Sequence, residues 1–240
     1  MKYKAFYMSR EIIYHEADSE DGMIQKIYEI QNVNKEPIIE IPSGCMEIRC
    51  ILQDGVFHMQ LYKGVESFTD SALSSCDSCV GIRLSPGVQL SGQEELLKEG
   101  YSHPIFKAMA NPMPIEHRMK LLRQVFPMKE LVTAQYPVTE ILNEVEMKRG
   151  CLNIGTYLAT FPYSDRYIEK AFKEATGFTV KKYAQIVKLQ NALQMISEGN
   201  VERCDKLEFY DQAHFIREFK KFTSVTPMQY RRQRLEMATF

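Results

Sequence analysis

Ser164-Asp165-Arg166-Tyr167-Ile168-Glu169-Lys170-Ala171-Phe172-Lys173, with Thr176-Gly177-Phe178 behind it, has a counterpart 47 residues further on. That counterpart is Asp211-Gln212-Ala213-His214-Phe215-Ile216-Arg217-Glu218-Phe219-Lys220, with Val225-Thr226-Pro227 behind it. The offset of 47 also relates Thr176 to Thr223, Thr179-Val180 to Thr226-Pro227 and Tyr183 to Tyr230. A period in this range marks a supersecondary unit written twice. In each copy the apolar residues recur at helical spacing, Ile168 and Phe172 in the first, Phe215 and Phe219 in the second. Ser164 and Asp211 are side chains that cap a helix start, and Gly177 tolerates the left-handed conformation that ends one.

A shorter helix precedes the first of these, carrying Ile154, Leu158 and Ala159 and closed by the turn Phe161-Pro162-Tyr163. Cys204, Leu207 and Tyr210 stand in the matching place before the second. Two helices joined by a tight turn form a helix-turn-helix, whose second helix fits the major groove of DNA. The first copy turns Arg166, Glu169, Lys170 and Lys173 outward; the second leaves Gln212, Ala213, Ile216, Arg217 and Lys220 outward. A helix over about 180–196 joins them. Ile186, Leu189, Leu193 and Ile196 are expected on one side of it, and Tyr183 and Val187 on another. Such a spacer would hold two recognition helices about 34 Å apart on one face of the duplex. Thr226-Pro227 opens a last helix through Tyr230, ending in Arg231, Arg232 and Arg234.

The first hundred residues follow a different period. Ile48, Cys50 and Leu52 alternate with Glu47, Arg49 and Ile51, then Asp54-Gly55 intervenes, then Phe57, Met59 and Leu61 alternate with His58, Gln60 and Tyr62. Two alternating runs about Asp-Gly predict a hairpin. Val80, Ile82 and Leu84 predict another strand, stopped by Ser85-Pro86-Gly87. Between the halves, Ile115, Met119, Leu122 and Phe126 predict a helix ended by Pro127, and a second runs from about Val138 to Gly150. The fold class is therefore α+β. Residues 1–110 are expected to form an antiparallel, barrel-like sensor domain. Residues 111–149 are expected to be a helical connector, placed where packing on the sheet or a dimer seam would use it. Residues 150–240 form the all-α double unit.

Charge divides along the same line. Residues 150–240 hold 14 Lys and Arg against 10 Asp and Glu, whereas residues 1–149 hold 16 against 21. Only the C-terminal part is suited to a polyanion. No run approaches the roughly 18 apolar residues of a membrane span, and no secretory signal is evident after Met1-Lys2-Tyr3-Lys4. The six cysteines then read as reduced cytoplasmic thiols. No phosphate loop, nucleophile elbow or carboxylate pair stands out, so no enzyme and no cofactor are expected.

The two quoted stretches resemble the paired helix-turn-helix motifs of the AraC/XylS transcription regulators over about residues 150–234. The resemblance implies a DNA-binding module of seven helices acting at promoters, in a cytoplasmic regulator of bacterial type. Carried over by position, base reading falls on Arg166, Glu169, Lys170, Gln212, Ala213 and Arg217. Arg and Lys pair with guanine and Gln with adenine. Lys173, Lys220, Arg231 and Arg232 are suited to phosphate, which positions without reading sequence. Double-stranded DNA is the implied partner. A small-molecule effector, a second copy of the chain and, for an activator, RNA polymerase are the further candidates.

The second copy departs from the family's pattern. It is about two residues short after Gly199, Glu208 stands where glycine is favoured, and Ile216 stands where a small hydroxyl is usual. The first copy is therefore expected to do more of the reading, with protein contacts as the alternative role of the second. Pro42-Ser43-Gly44-Cys45-Met46-Glu47 and Gly81-Ile82-Arg83-Leu84-Ser85-Pro86-Gly87 resemble signatures of a β-rich domain found ahead of such regulators. A competing reading takes Cys45, Cys50, Cys76 and Cys79 as a four-thiolate zinc site, as in the Ada-type alkyl-DNA repair activators. Small buried hydrophobes are the plainer reading of the same residues.

Overall fold

A computed structural model describes residues 4–19, 22–91, 131–199, 211–233 and 237–239, with Pro114, His117, Lys120, Leu207 and Phe209. The expected helix carrying Ile115, Met119, Leu122 and Phe126 lies outside the described residues, as do Glu208 and the shortened stretch after Gly199.

The Asp54-Gly55 hairpin is present. β5 (Glu47–Gln53) and β6 (Val56–Tyr62) pair with Gln53 opposite Val56. Asp54 and Gly55 both take positive φ, 52° and 76°, as a two-residue turn matched to the twist of the strands requires. The predicted strand at Val80 is β8 (Ser78–Leu84), which pairs on one side with β5 and on the other with β3 (Ile24–Gln31). With β2 (Ile13–Asp18) they make an antiparallel sheet in the order β2-β3-β8-β5-β6. A second sheet, in the order β11-β1-β4-β7, joins β1 (Phe6–Ser9), β4 (Ile38–Glu40) and β7 (Thr69–Asp70) to β11 (Met237–Thr239). β9 (Val88–Leu90) pairs with β10 (Leu131–Thr133), a strand inside the stretch expected to be helical.

Among the described residues the expected barrel does not close: β2 and β6 are the edges of the larger sheet, and burial is achieved by layering. On one face Ile48, Cys50, Val80, Ile82 and Leu84 meet Val88, Leu90 and Leu131. On the other, Tyr28, Ile30, Ile51 and Cys79 meet Phe6, Met8 and Ile38 of the second sheet.

Because both faces are covered, the polar half of the alternation is buried too. Glu47, Arg49 and Arg83 are 1%, 2% and 0% exposed. They survive there by pairing. Arg49 grips Glu40 with two hydrogen bonds, at 2.7 and 2.9 Å, and reaches Glu47 at 2.8 Å. Arg83 Nε donates to Glu47 at 2.8 Å, and the Tyr28 hydroxyl donates to Glu47 at 2.7 Å. Burial alone would raise the Glu47 carboxyl, but the guanidiniums of Arg49 and Arg83 and the bonds from Arg83 and Tyr28 outweigh it and hold the pKa at about 2. Gly81 is required beside this cluster: a Cβ there would lie 2.0 Å from the Tyr28 ring.

Six α-helices have both ends among the described residues: α1 (Val138–Met147), α2 (Ile154–Leu158), α3 (Asp165–Thr176), α4 (Val180–Ser197), α5 (Gln212–Thr223) and α6 (Pro227–Gln233). α1, in the expected connector, packs its Val138, Ile141, Leu142 and Val145 into one core with Ile168 and Phe172 of α3 and Tyr183 and Val187 of α4. A second core joins Leu189, Leu193 and Ile196 of α4 to Phe215, Phe219 and Phe222 of α5 and Tyr230 of α6. α4 thus has the two apolar surfaces its sequence suggests. Ile186 belongs with Tyr183 in the first core rather than with Leu189 in the second.

Candidate nucleic-acid interface

The bonds that brace and cap each helix recur in both copies. In the first copy the Thr176 hydroxyl donates to the Phe172 carbonyl at 2.8 Å and accepts from the Phe178 N–H at 3.1 Å. In the second, 47 positions on, the Thr223 hydroxyl donates to Phe219 at 2.9 Å and accepts from Val225 at 3.3 Å. Phe172 meets Tyr183 edge-on at 5.6 Å, and Phe219 meets Tyr230 edge-on at 5.8 Å. Ser164 caps α3 by accepting from the Tyr167 N–H at 3.3 Å, and Asp211 caps α5 by accepting from the His214 N–H at 2.6 Å. Gly177 ends α3 at φ 84°. Ser224 ends α5 in the same left-handed conformation, at φ 62°, without glycine's freedom.

Each second helix turns one face to its core, and the opposite face is free. Arg166, Lys170 and Lys173 of α3 are exposed, as are Gln212, Ala213, Arg217 and Lys220 of α5 and Arg231 and Arg232 of α6. Among the described residues Lys170 has the exposed Glu174 as its ionic neighbour, at 3.9 Å, a contact worth little in water. Glu169 is placed differently. It is half-buried, and its carboxylate accepts from the Val180 N–H at 3.3 Å, so it helps cap α4 beside Thr179, whose hydroxyl accepts from Lys182. Ile216 is 36% exposed in the corresponding place on α5.

The structure adds a contact that sequence reasoning missed. Gln190, in the middle of α4, is 1% exposed and faces the N-terminal sheets. Its Nε2 donates to the carbonyls of Lys4 at 2.7 Å and Pro42 at 2.6 Å, and its Oε1 accepts from the Lys4 N–H at 2.7 Å. Around it, Gly44 lies so close that a Cβ would stand 2.8 Å from the Tyr183 ring. The Phe68 N–H donates to the Phe222 carbonyl at 2.7 Å, and Tyr7 packs on Tyr230 at 5.6 Å. The available signal was the polar pair Gln190-Asn191 inside an otherwise apolar stretch of α4.

The cysteines are dispersed. Cys45 lies in the helical core, Cys50 on one face of the larger sheet, and Cys76 and Cys79 on the other. Burial raises Cys45 and Cys50 to about 12 and Cys76 to about 11. Among the described residues, no three of His, Cys, Asp and Glu gather as metal ligands would. No described helix is long and apolar enough to cross a membrane.

Residues 157–233 match a family of helix-turn-helix domains, of the AraC type. The chain is 30% identical over 102 residues to the F1 operon positive regulatory protein of Yersinia pestis, covering 40% of this chain and 34% of that protein. It is 34% identical over 76 residues to the transposon Tn10 TetD protein of Escherichia coli, covering 30% of this chain and 55% of that protein. The chain thus spans about a third to about half of the length of these two relatives. Among solved structures, that of ToxT from Vibrio cholerae aligns over 96% of this chain and 95% of its own at 14% identity, with a TM-score of 0.39.

Proposed function

We propose that this chain, whose C-terminal domain is an AraC-type helix-turn-helix module, is a sequence-specific DNA-binding regulator of transcription that answers to a signal received by its N-terminal sheets. One observation carries the reading. Two helices braced by the same threonine and aromatic contacts present exposed cationic or amide faces on either side of the helix that joins them. Arg166, Lys170, Gln212, Ala213 and Arg217 are the base-reading residues. Glu169 reads or, through its bond to Val180, orients. Lys173, Lys220, Arg231 and Arg232 take phosphates. That one relative is named as a positive regulatory protein of an operon is consistent with action at promoters.

The docking of the N-terminal sheets on α4 supports the signalling half. α4 sets the distance between the two recognition helices, and Gln190 and Tyr183 tie it to the β-rich half. A cleft of about 440 Å³ opens between Gln25 of β3, Ser85 and Pro86 in the turn after β8, and Thr139, Asn143 and Glu146 of α1. Glu146 accepts from the Tyr183 hydroxyl at 3.1 Å, so a small molecule seated in the cleft would bear on α4. We assign the effector to this cleft. Selection of duplexes from a random library by the full chain tests the DNA-binding core of the proposal. A shared motif is expected, and recovery of no motif with salt-independent retention would refute it.

A further inference from the structure

Three tyrosines stand half in solvent at the N-terminal end of α3. Tyr136 is 52% exposed, Tyr163 41% and Tyr167 50%. Their rings touch in series: Tyr136 lies 6.0 Å from Tyr163, and Tyr163 lies 5.0 Å from Tyr167, centroid to centroid. Phe161 supports the row from beneath, 5.8 Å from Tyr136. Exposed apolar residues scattered singly need no explanation, but a continuous row of aromatic rings marks a contact surface. Among the described residues, the three hydroxyls have no hydrogen-bond partner.

The place of the row names its occupant. At about 100° per residue, Arg166, Lys170 and Lys173 project opposite Ile168 and Phe172, and Tyr167 lies about a quarter-turn from that cationic ridge. A duplex seated on the ridge would bring a sugar–phosphate wall over this flank. Behind Phe161, Tyr157 packs edge-on at 5.3 Å and donates its hydroxyl to the Glu140 carbonyl at 3.4 Å. The second copy is built differently. His214, 47 residues after Tyr167, turns its ring onto Phe209 at 5.8 Å.

We infer that Tyr136, Tyr163 and Tyr167 form a ledge that receives the deoxyribose–phosphate backbone of the DNA bound by α3, rings against sugars and hydroxyls donating to phosphate oxygens. The inference rests on the DNA-binding reading above and extends the DNA face to Tyr136, outside the matched residues 157–233. Phenol hydroxyls are among the groups that position a protein on the backbone without reading bases. They are uncharged and release no counterions, so their contribution is independent of salt. This separates them from Lys173, which adds to the salt dependence.

The test uses the full chain and a duplex chosen from a random library. Changing each tyrosine to phenylalanine is expected to weaken binding about two- to tenfold per hydroxyl. Sequence preference and the slope of log affinity against log salt should both stay as in wild type. Bound duplex should also protect the three rings from nitration by tetranitromethane, mapped by mass spectrometry. Arg166→Ala in parallel should change the preferred sequence. If wild type binds its duplex but the triple phenylalanine variant binds within twofold of it, the ledge is not a DNA contact. Equally, if Tyr136→Ala/Tyr163→Ala abolishes self-association in sedimentation while leaving duplex affinity intact, a second copy covers the row and the inference is overturned. If wild type itself binds no DNA in a salt-dependent way, the parent reading fails and the ledge with it.

Discussion

Replacing Gln190 with leucine removes the only side chain in α4 that bonds the backbone of both Lys4 and Pro42 among the described residues. Leucine fills much of the same space but leaves the Pro42 carbonyl buried without its Gln190 donor, and removes the two bonds from Gln190 to the Lys4 backbone. A buried group left unsatisfied costs about 1–3 kcal/mol. Lys4 is only partly buried, so water can recover part of its loss. The expected destabilisation is therefore about 2–4 kcal/mol. Guanidinium unfolding followed by far-ultraviolet dichroism reads that number. Amide exchange shows where it falls: protection should drop first in β1 and in the segment from Ile38 to Pro42, ahead of α3 and α5. Gln194→Leu, one turn away and exposed, is the control and should be close to neutral. If Gln190→Leu lies within about 0.5 kcal/mol of wild type, the ordinary range for surface changes, and exchange in β1 is unaltered, the docking role of Gln190 is refuted.

Arg166→Ala is expected to weaken binding to the selected duplex by about 1–3 kcal/mol and to relax preference at one base position; an unchanged sequence profile would remove Arg166 from the reading set. Lys173→Ala should weaken all sequences alike and lower the salt slope by about one, as titrations at several salt concentrations would show. Ser224→Gly should stabilise the protein by about 0.5–1 kcal/mol in thermal or chemical unfolding, because φ 62° costs glycine nothing. The Glu47 carboxyl is depressed in the folded protein to about 2, so its stabilisation is fully present above its unfolded value of about 4.5 and is lost as pH falls toward 2. Unfolding midpoints measured across that window should fall less steeply in Glu47→Gln, and identical slopes would contradict the ion-pair account.

The repeated unit was legible because local chemistry and long-range packing agree in it. Ser164 and Asp211 cap the helices they were expected to cap, and Gly177 and the Asp54-Gly55 pair take the backbone angles that glycine and aspartate suggest. These are short-range features written in adjacent residues. The sheet half was legible only in its strands. Alternation of Glu47 and Arg49 with apolar neighbours reads as one wet face, yet a second sheet covers that face, and the charges persist by pairing across strands. Which carboxylate meets which guanidinium is set by the register of β4, β5 and β8 together. The partners of Gln190 were illegible for the same reason: they lie 148 and 186 residues away. Glu169 shows the converse, since its spacing suggests an outward base reader while its carboxylate is engaged at the start of α4.

The pairing of β11 with β1 bears on how the polypeptide is made. Tyr7 lies opposite Thr239 and Ser9 opposite Met237, so one sheet joins residues 232 and 228 positions apart in the chain (239 − 7 and 237 − 9). During synthesis β1 has no partner on that side until residues 237–239 have left the ribosome. Contacts spanning so much chain form slowly, since loop closure must precede their reward. Until then β1 presents an unpaired edge, the kind of surface on which nascent chains associate wrongly. A chaperone that holds extended segments would therefore act on β1 chiefly before residues 237–239 emerge.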